Sequence, residues 1–323
     1  MFTPLNHQQS FSSIELSSLS KSRTAKFLDE VNKLINWKEI EDILQSLYCH
    51  NNGRPAFSPI TLIRGLLLEQ WYRLSDRALE EELKDRLSFR NFVGLKSDQD
   101  SPDETTFVRF RQKLQERHLE EQLFNLIRDQ LRKDDLEVKE GKCVLTDASI
   151  IESPYGKESK GKDGNGDFIQ RKNKVIKGYK THVVANQKDN LIETATLTVA
   201  SCHESRFLEQ TLAQVNGKIN SVIADKGYAS KQRKREFKQK NIYCGILEKR
   251  EKGQFKLSRK QKIKNQRLIK IRAKVERIFA VVKKHYRWNR VRYFGLRNNT
   301  SHMWYLYTAY NLQLVALKTI NSS

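Results

Sequence analysis

The chain has 323 residues, of which 38% are hydrophobic and 30% are charged. At roughly 100–200 residues per domain this length indicates two domains, and the apolar residues found all along the chain exclude the disordered class. No stretch approaches the ~18 uninterrupted apolar residues of a transmembrane helix. The first residues lack the basic and apolar blocks of a secretory signal, so we expect none.

The cysteines are spaced too widely for a zinc knuckle or a C-x-x-C redox pair. A disulfide framework is typical of shorter, secreted chains. We therefore expect a cytoplasmic protein whose four cysteines are reduced thiols: Cys49, Cys143, Cys202 and Cys244.

Charge is distributed unevenly along the chain, whose net charge is +22. Residues 1–140 carry 21 basic and 24 acidic side chains, whereas residues 141–323 carry 39 and 14. Within the second half, residues 226–292 hold 25 basic and 4 acidic residues. Apolar residues keep a regular period through this stretch, which argues against a solvated tail. A nucleic-acid partner is the economical explanation, because Lys and Arg neutralise phosphates.

The N-terminal part is predicted to be helical. Residues 1–22 are Ser-rich and form a loose arm, and apolar spacing predicts one helix from about Ser22 to Leu47. A second helix begins at Pro59 and turns an apolar face inward, and a last one begins with Ser101 as its cap and runs to about Arg132. We predict a helical domain over residues 23–138 that binds DNA or forms dimers. Between these, the pattern predicts shorter helices around residues 78–83 and 87–95.

From residue 139 to 323 the pattern alternates strands with helices, which predicts an α+β domain with a mixed sheet. The long helix and the last helix close the chain. In chain order we predict a strand at 142–146, a loop at 152–177, two strands around a hairpin turn at 188–190, a helix at 204–215, a strand ending at Asp225, a basic helix at 231–240, a short strand, and helices at about 260–285 and 303–317.

Three carboxylates stand out in this basic half. Asp147 and Asp225 each follow a predicted strand, and Glu276 lies in the long basic helix. Open α/β sheets place ligands at strand ends. Metal-assisted phosphodiester chemistry needs hard oxygen ligands around two Mg²⁺ ions about 3.5–4 Å apart. Taken together, these three acids predict such a metal site.

Each acid also has a simpler interpretation. An Asp after a strand is a common turn former. Glu276 alone would most often be the ion-pair partner of Arg272 or Arg277 on the same helix. The element order and the strongly basic surroundings favour the metal site when the three acids are considered together.

The helix that carries Glu276 is amphipathic. Arg272, Glu276 and Lys283 stand beside an apolar stripe at positions i, i+4 and i+11. One edge of the helix can therefore present a carboxylate to a metal and two cations to phosphate, although intrahelical ion pairing is the alternative. The stripe consists of Ile271, Val275, Ile278 and Val282.

These motifs together resemble bacterial insertion-sequence transposases of the DDE class, in the insertion-sequence-five branch. The resemblance covers roughly residues 55–315. In the helical half it is carried by FSPITLIRGLLLEQWYRLSDRALEEEL and SPDETTFVRFRQKL. In the second half it is carried by VLTDAS, GYKTHVVAN, HES, IADKGY and RAKVERIFAVVKK.

The resemblance implies a ribonuclease-H-like catalytic domain in which Asp147, Asp225 and Glu276 bind two Mg²⁺ ions, with Mn²⁺ as a possible substitute. It implies cleavage at the terminal inverted repeats of a DNA element and joining of the 3′-hydroxyl ends to target DNA. We expect double-stranded DNA as partner, a homodimer in the active complex, a bacterial cytoplasmic location, and neither a membrane nor a small-molecule substrate. The rival interpretations are a non-catalytic DNA-binding protein derived from such an enzyme and a metal-dependent nuclease without strand transfer.

The family's C-terminal signature places Tyr, Arg, Glu and Lys at fixed spacing. Arg272, Glu276 and Lys283 fit it, but Ile269 stands at the Tyr position. The phosphate contact of that Tyr is therefore absent or moved, while the acidic triad is unaffected.

Several other residues are candidates for contacts with DNA. Lys226 follows Asp225 at the mouth of the predicted site and is suited to a phosphate, whereas Tyr228 is suited to the core. Trp288, flanked by Arg287 and Arg290, can stack on a splayed base, with burial against the last helix as the alternative.

Two histidines lie near the same elements. His203 can orient a ligand or cap a helix. His182, in a strand, is more typical of a buried structural histidine.

Overall fold

The computed structural model describes residues 22–48, 56–96, 98–132, 141–153, 163, 165–171, 174–250 and 254–322. Contacts between Cα atoms divide the chain into two compact units, Met1–Lys133 with Trp304–Ser323 and Asp134–Met303. Apart from Ser22, the predicted arm lies outside the described residues. Within them, no helix has the length and apolar character needed to cross a membrane.

The first unit is helical. Where the sequence predicts one helix over residues 22–47, the structure has two, because Asn36 starts a new helix by accepting the Lys38 backbone N–H at 3.3 Å. Its own N–H donates to Gln130 Oε1 at 2.9 Å, which fixes the break. The helices are α1 Arg23–Leu34, α2 Trp37–Leu44, α3 Pro59–Tyr72, α4 Asp76–Asp85, α5 Leu87–Val93, α6 Glu104–Glu116 and α7 Leu119–Gln130.

The start of α3 is as predicted, with Ser58 as the cap and Pro59 as the first residue. The predicted last helix is wrong in two details. Asp103, and not Ser101, caps α6 by accepting the Thr106 N–H at 2.6 Å. The helix then ends at Glu116, because His118 takes a left-handed backbone conformation before α7 begins.

The end of the chain groups with these helices. The Trp71 indole N–H donates to the Ala309 carbonyl at 2.9 Å, and the rings of Phe124 and Trp304 lie 4.9 Å apart. These contacts explain why residues 304–323 belong to the first compact unit, although the sequence assigns them to the catalytic domain. The predicted domain limits at residues 23–138 and 139–323 stay predictions.

The second unit is built on one mixed sheet, which confirms the predicted fold class. Its order is β2-β3-β1-β5-β6, and β4 also pairs with β3. β1 is antiparallel to β3 and parallel to β5, and β5 is parallel to β6. The strands are β1 Lys142–Glu152, β2 Asp167–Arg171, β3 Lys174–Asn186, β4 Ile192–Val199, β5 Ile219–Ala224 and β6 Tyr243–Ile246.

Two predictions about the sheet need correction. β1 continues beyond the predicted end at Thr146, because its register with β3 is unbroken from Val144 to Glu152. The predicted loop at 152–177 contains β2 and the start of β3, which pair over 167–171 and 174–178. The close approach of β1 at the Ile151 carbonyl requires Gly178, since a Cβ there would overlap that oxygen. The hairpin between β3 and β4 is confirmed.

Four helices complete the description: α8 Leu208–Ala213, α9 Lys231–Gln239, α10 Arg259–Lys284 and α11 Leu296–Ser322. A single 3₁₀ turn, Glu204–Arg206, replaces the predicted start of α8 at residue 204. α11 begins earlier than predicted. α10 packs on β1 and buries Val275, Ile278 and Val282, as its apolar stripe predicts.

The cysteines of the described residues are free thiols: Cys143, Cys202 and Cys244. Cys49 lies outside them.

Candidate active site

Two predicted carboxylates meet where the parallel pairing of β1 and β5 ends. The last paired residues are Thr146 and Ala224. Asp147 and Asp225 are the next residues along the chain. Because the strands run in the same direction, both side chains lie at one edge of that pairing. The sequence predicts that Asp147 comes directly after the strand, but in the structure it does not. It lies inside β1, opposite Val183 of β3, and only the pairing with β5 stops there.

The third predicted carboxylate is brought in by α10, which packs across β1 and β5. Arg272 of this helix donates from Nη2 to Asp147 Oδ2 at 3.1 Å and from Nη1 to Asp225 Oδ1 at 3.2 Å. Its Nη2 also lies 3.7 Å from Glu276 Oε1, one helical turn along. The three acids selected from the sequence therefore surround one guanidinium group.

Arg272 consequently has a different position from the one predicted. Its side chain is 11% exposed and points to the carboxylates, whereas the sequence suggests a contact with DNA phosphate. The ion pair with Glu276, considered above as the simpler alternative, is present, and it is one of three ion pairs that Arg272 makes with carboxylates. Glu276 itself is 62% exposed, so its longer side chain has room to turn.

Burial acts strongly on Asp147. Desolvation raises the pKa of its carboxyl above the usual range, and Glu204 adds to this. The Arg272 charge and the Ala148 backbone N–H, which donates to Oδ1 at 2.9 Å, act in the opposite direction. A carboxylate kept partly desolvated in a polar site is typical of functional positions.

The donor set fits a divalent metal ion in its chemistry. Asp147, Asp225 and Glu276 supply the hard oxygen ligands that Mg²⁺ and Mn²⁺ prefer, and they already gather around a cationic group. In this conformation the oxygens face Arg272, and no group of three or more His, Cys, Asp or Glu side chains in the described part of the chain is arranged to hold an ion. A metal ion and Arg272 would therefore compete for the same oxygens.

The predicted DNA-contacting cations near the site differ in exposure. Lys226 is exposed directly after Asp225. Lys283 is half-buried, and its Nζ donates to the Ile150 carbonyl at 2.7 Å, which ties α10 to β1. Arg287 and Arg290 are exposed, and Arg290 lies 4.0 Å from Glu152.

Trp288 does not have the predicted surface position. It is 2% exposed, and its ring meets His302 edge to face at 6.0 Å. The Trp288 ring therefore offers no exposed face on which a base could stack. The structure shows the alternative, burial against the last helix.

The two histidines take their structural alternatives. His203 is exposed, and its Nδ1 accepts the Ser205 N–H at 3.2 Å, which caps the 3₁₀ turn. His182 is 3% exposed and shares a hydrogen bond with Thr198 at 2.9 Å. Desolvation and the nearby Lys180 charge lower the pKa of His182 to about 4, so this side chain is neutral at pH 7.

Sequence reasoning missed Lys180 and Arg233 beside the site, and it included Glu204 only as part of the HES motif, without a role. Glu204 is also one of only 14 acidic residues in the basic half, which was a second available signal. Nothing in the local sequence indicates that Lys180 and Arg233 are buried.

Comparison with protein families gives two matches. A model described as "Transposase DDE domain" matches residues 139–312. A second, described as "Transposase domain (DUF772)", matches residues 16–113. The first match includes all three carboxylates and Arg272.

The raised pKa of Asp147 predicts a stability change. The folded chain holds this proton more tightly than the unfolded chain, so the group favours folding below the ordinary Asp pKa. That advantage is lost as the pH rises from the ordinary pKa through the raised one. At pH 7, Asp147→Asn removes an unfavourable buried charge and should raise the melting temperature in metal-free buffer. The gain should shrink when the melt is repeated below pH 4.

Asp167→Asn is the matched control in the same unit. The Ser201 side chain and the Phe168 N–H lower the pKa of Asp167, so this change should reduce the melting temperature at pH 7. A lower melting temperature for Asp147→Asn at pH 7 would contradict the assignment of desolvation as the dominant effect.

Proposed function

The chain belongs to the transposase DDE-domain family, and from this premise we propose that it cuts and rejoins DNA at the ends of a mobile element. In this proposal it cleaves a phosphodiester bond at each element end and joins the freed 3′-hydroxyl to target DNA. The observation that carries the proposal is the position of Asp147, Asp225 and Glu276, all within 3.7 Å of the Arg272 guanidinium. Assignment to the insertion-sequence-five branch stays a prediction.

The three carboxylates would hold two divalent ions, with Mg²⁺ as the expected metal and Mn²⁺ as a substitute. Bound ions supply charge neutralisation and an activated oxygen nucleophile for in-line displacement at phosphorus. Asp147 lies within β1 and Asp225 directly follows β5, so the sheet would position two of the ligands. Glu276 sits on a packed helix with an exposed side chain, which lets the third ligand adjust.

Arg272 would have two successive roles. In the arrangement described above it neutralises the carboxylates. If those oxygens held a metal ion, the planar guanidinium fork would be free of them, and its geometry matches two phosphate oxygens. The phosphate contact predicted from the sequence would thus belong to the DNA-bound state.

Double-stranded DNA is the proposed partner, as element ends and as target. Exposed basic residues on α9 and α10, together with Lys226, Arg287 and Arg290, supply positive charge in the unit that carries the carboxylates. Since two element ends must be joined to one target, we propose that two copies of the chain act together. This activity places the protein with the DNA of a bacterial cytoplasm.

The first test uses duplexes carrying the inverted repeats that flank the coding sequence. We expect cleavage to fall by more than about 100-fold in each of three variants, Asp147→Asn, Asp225→Asn and Glu276→Gln. Replacing a residue that only hydrogen-bonds to a metal ligand already costs about 10–100-fold in metal affinity or activity. DNA affinity should change little. Both cleavage and joining are scored, with Glu248→Gln as a control at a half-buried, Lys-paired carboxylate outside the triad.

The outcomes separate the rivals. Cleavage without joining indicates a nuclease, and binding without cleavage by the unmodified chain indicates a non-catalytic DNA-binding protein. A triad variant that cuts at the unmodified rate rules out the assigned metal site.

Arg272→Lys keeps the charge but loses the fork, since one ammonium cannot span two carboxylates or two phosphate oxygens in the same way. We expect single-turnover cleavage of a pre-bound element end to fall by at least about tenfold. A thermal melt shows whether the chain stays folded. Normal cleavage by this variant would leave Arg272 with a structural ion-pairing role only.

DNA affinity should fall steeply with salt, with a slope of about −0.9 per phosphate neutralised. Replacing four exposed cations of α10 by Gln should make the slope shallower by about 0.9 for each that contacts phosphate. Lys33→Gln with Lys38→Gln is the control, because these exposed lysines of the first unit already pair with carboxylates. An unchanged slope would contradict a DNA path along α10. The four cations are Lys262, Arg267, Lys270 and Arg277.

A further inference from the structure

A fourth carboxylate, Glu204, lies beside the acidic site. A Cβ built on Gly227 would lie 3.4 Å from Glu204 Oε2 and 4.0 Å from Asp225 Oδ2. The two oxygens therefore flank one small space, which the absence of a side chain at residue 227 keeps open. Glu204 also acts electrostatically on Asp147, whose pKa it raises.

A buried cation holds Glu204 from the sheet side. Lys180 of β3 is 3% exposed, and its Nζ lies 3.9 Å from Glu204 Oε1. The same Nζ donates to the Cys202 carbonyl at 2.6 Å, which fixes the chain just before the 3₁₀ turn. The Glu204 side chain is 25% exposed, so it is partly desolvated and still reachable from solvent.

Arg233 of α9 joins the turn of Glu204 to the turn that follows Asp225. Its guanidinium donates to Ser205 Oγ at 2.9 Å and to the Ser205 carbonyl at 2.7 Å. It also donates to the Tyr228 carbonyl. Arg233 is 6% exposed, so these bonds are shielded from water and hold Glu204 close to Asp225.

Tyr228 is a buried side chain that both carboxylates reach electrostatically. It is 1% exposed, and desolvation together with the nearby Asp147 and Glu204 charges raises its pKa above the usual range, whereas a hydrogen bond with Thr146 acts in the opposite direction. Glu204 and Asp147 therefore act on the same buried group, which agrees with their closeness.

We infer that Glu204 is a fourth carboxylate of the site and helps Asp147 and Asp225 to hold a divalent cation, with Lys180 and Arg233 as positioning residues. The inference rests on the proposed function, since it adds a ligand to the proposed metal site. The alternative is that Glu204 only pairs with Lys180 and shapes the turn.

Metal binding itself is the readout. The full-length chain is titrated with Mn²⁺ up to millimolar concentration, and binding is measured from the rise in melting temperature. Glu204→Gln should weaken Mn²⁺ binding by at least about tenfold. Glu248→Gln is the matched control, because Glu248 is also 25% exposed and pairs with a lysine, and it should bind Mn²⁺ like the unmodified chain.

The results separate this inference from the proposed function. If Asp147→Asn weakens Mn²⁺ binding but Glu204→Gln matches Glu248→Gln, the fourth ligand is wrong and the triad site stands. If neither the unmodified chain nor any variant responds to Mn²⁺, the proposed metal site fails, and this inference fails with it. A change in the metal-free melt of Glu204→Gln with unchanged Mn²⁺ affinity assigns Glu204 a structural role only.

Glu204→Asp keeps the experiment decisive should the amide variant not fold. It retains the charge near Lys180 but shortens the side chain by one methylene. Mn²⁺ binding should then be weaker than in the unmodified chain, and unchanged affinity would overturn the inference.

Discussion

The candidate site is organised by one guanidinium held among three carboxylates. Arg272 is nearly buried and binds Asp147 and Asp225 at hydrogen-bond distance, with Glu276 at 3.7 Å. Like charges this close repel one another, and burial makes the repulsion more costly. The cation offsets that cost and keeps the oxygens together. The carboxylates that we propose as metal ligands are thus already gathered around a cation.

The sheet supplies the rigidity that this arrangement requires. β1 pairs with β3 on one side and, up to Thr146, with β5 on the other, and Asp147 directly after that point keeps its pairing with Val183 of β3. α10 buries Val275, Ile278 and Val282 against this surface, and Lys283 binds the Ile150 carbonyl. The backbones that carry Asp147 and Glu276 thereby belong to packed elements, and the Glu276 side chain is the most exposed of the three acids, at 62%. Packed elements of this kind give a site well-defined positions.

Positive charge in the second unit serves two separate purposes. Lys180 and Arg233 are buried and hold the segments around the acidic site. Exposed residues such as Lys226 and Arg277 are free of that task and suit a phosphate backbone. The net charge of +22 therefore includes cations that do not face solvent. Burial distinguishes the cations that build the site from those that face solvent.

The sequence by itself determined the fold class, the family and the three acids, because these depend on local patterns. Apolar periodicity predicts β1, β5 and α10, and motif spacing selects Asp147, Asp225 and Glu276. Tertiary structure decided the rest. The break at Asn36 depends on Gln130, 94 residues away. Arg272 faces carboxylates, Trp288 is buried, and Glu204 lies beside Asp225. These placements depend on packing between segments that are far apart along the chain, and their spacing in the sequence does not indicate that they meet.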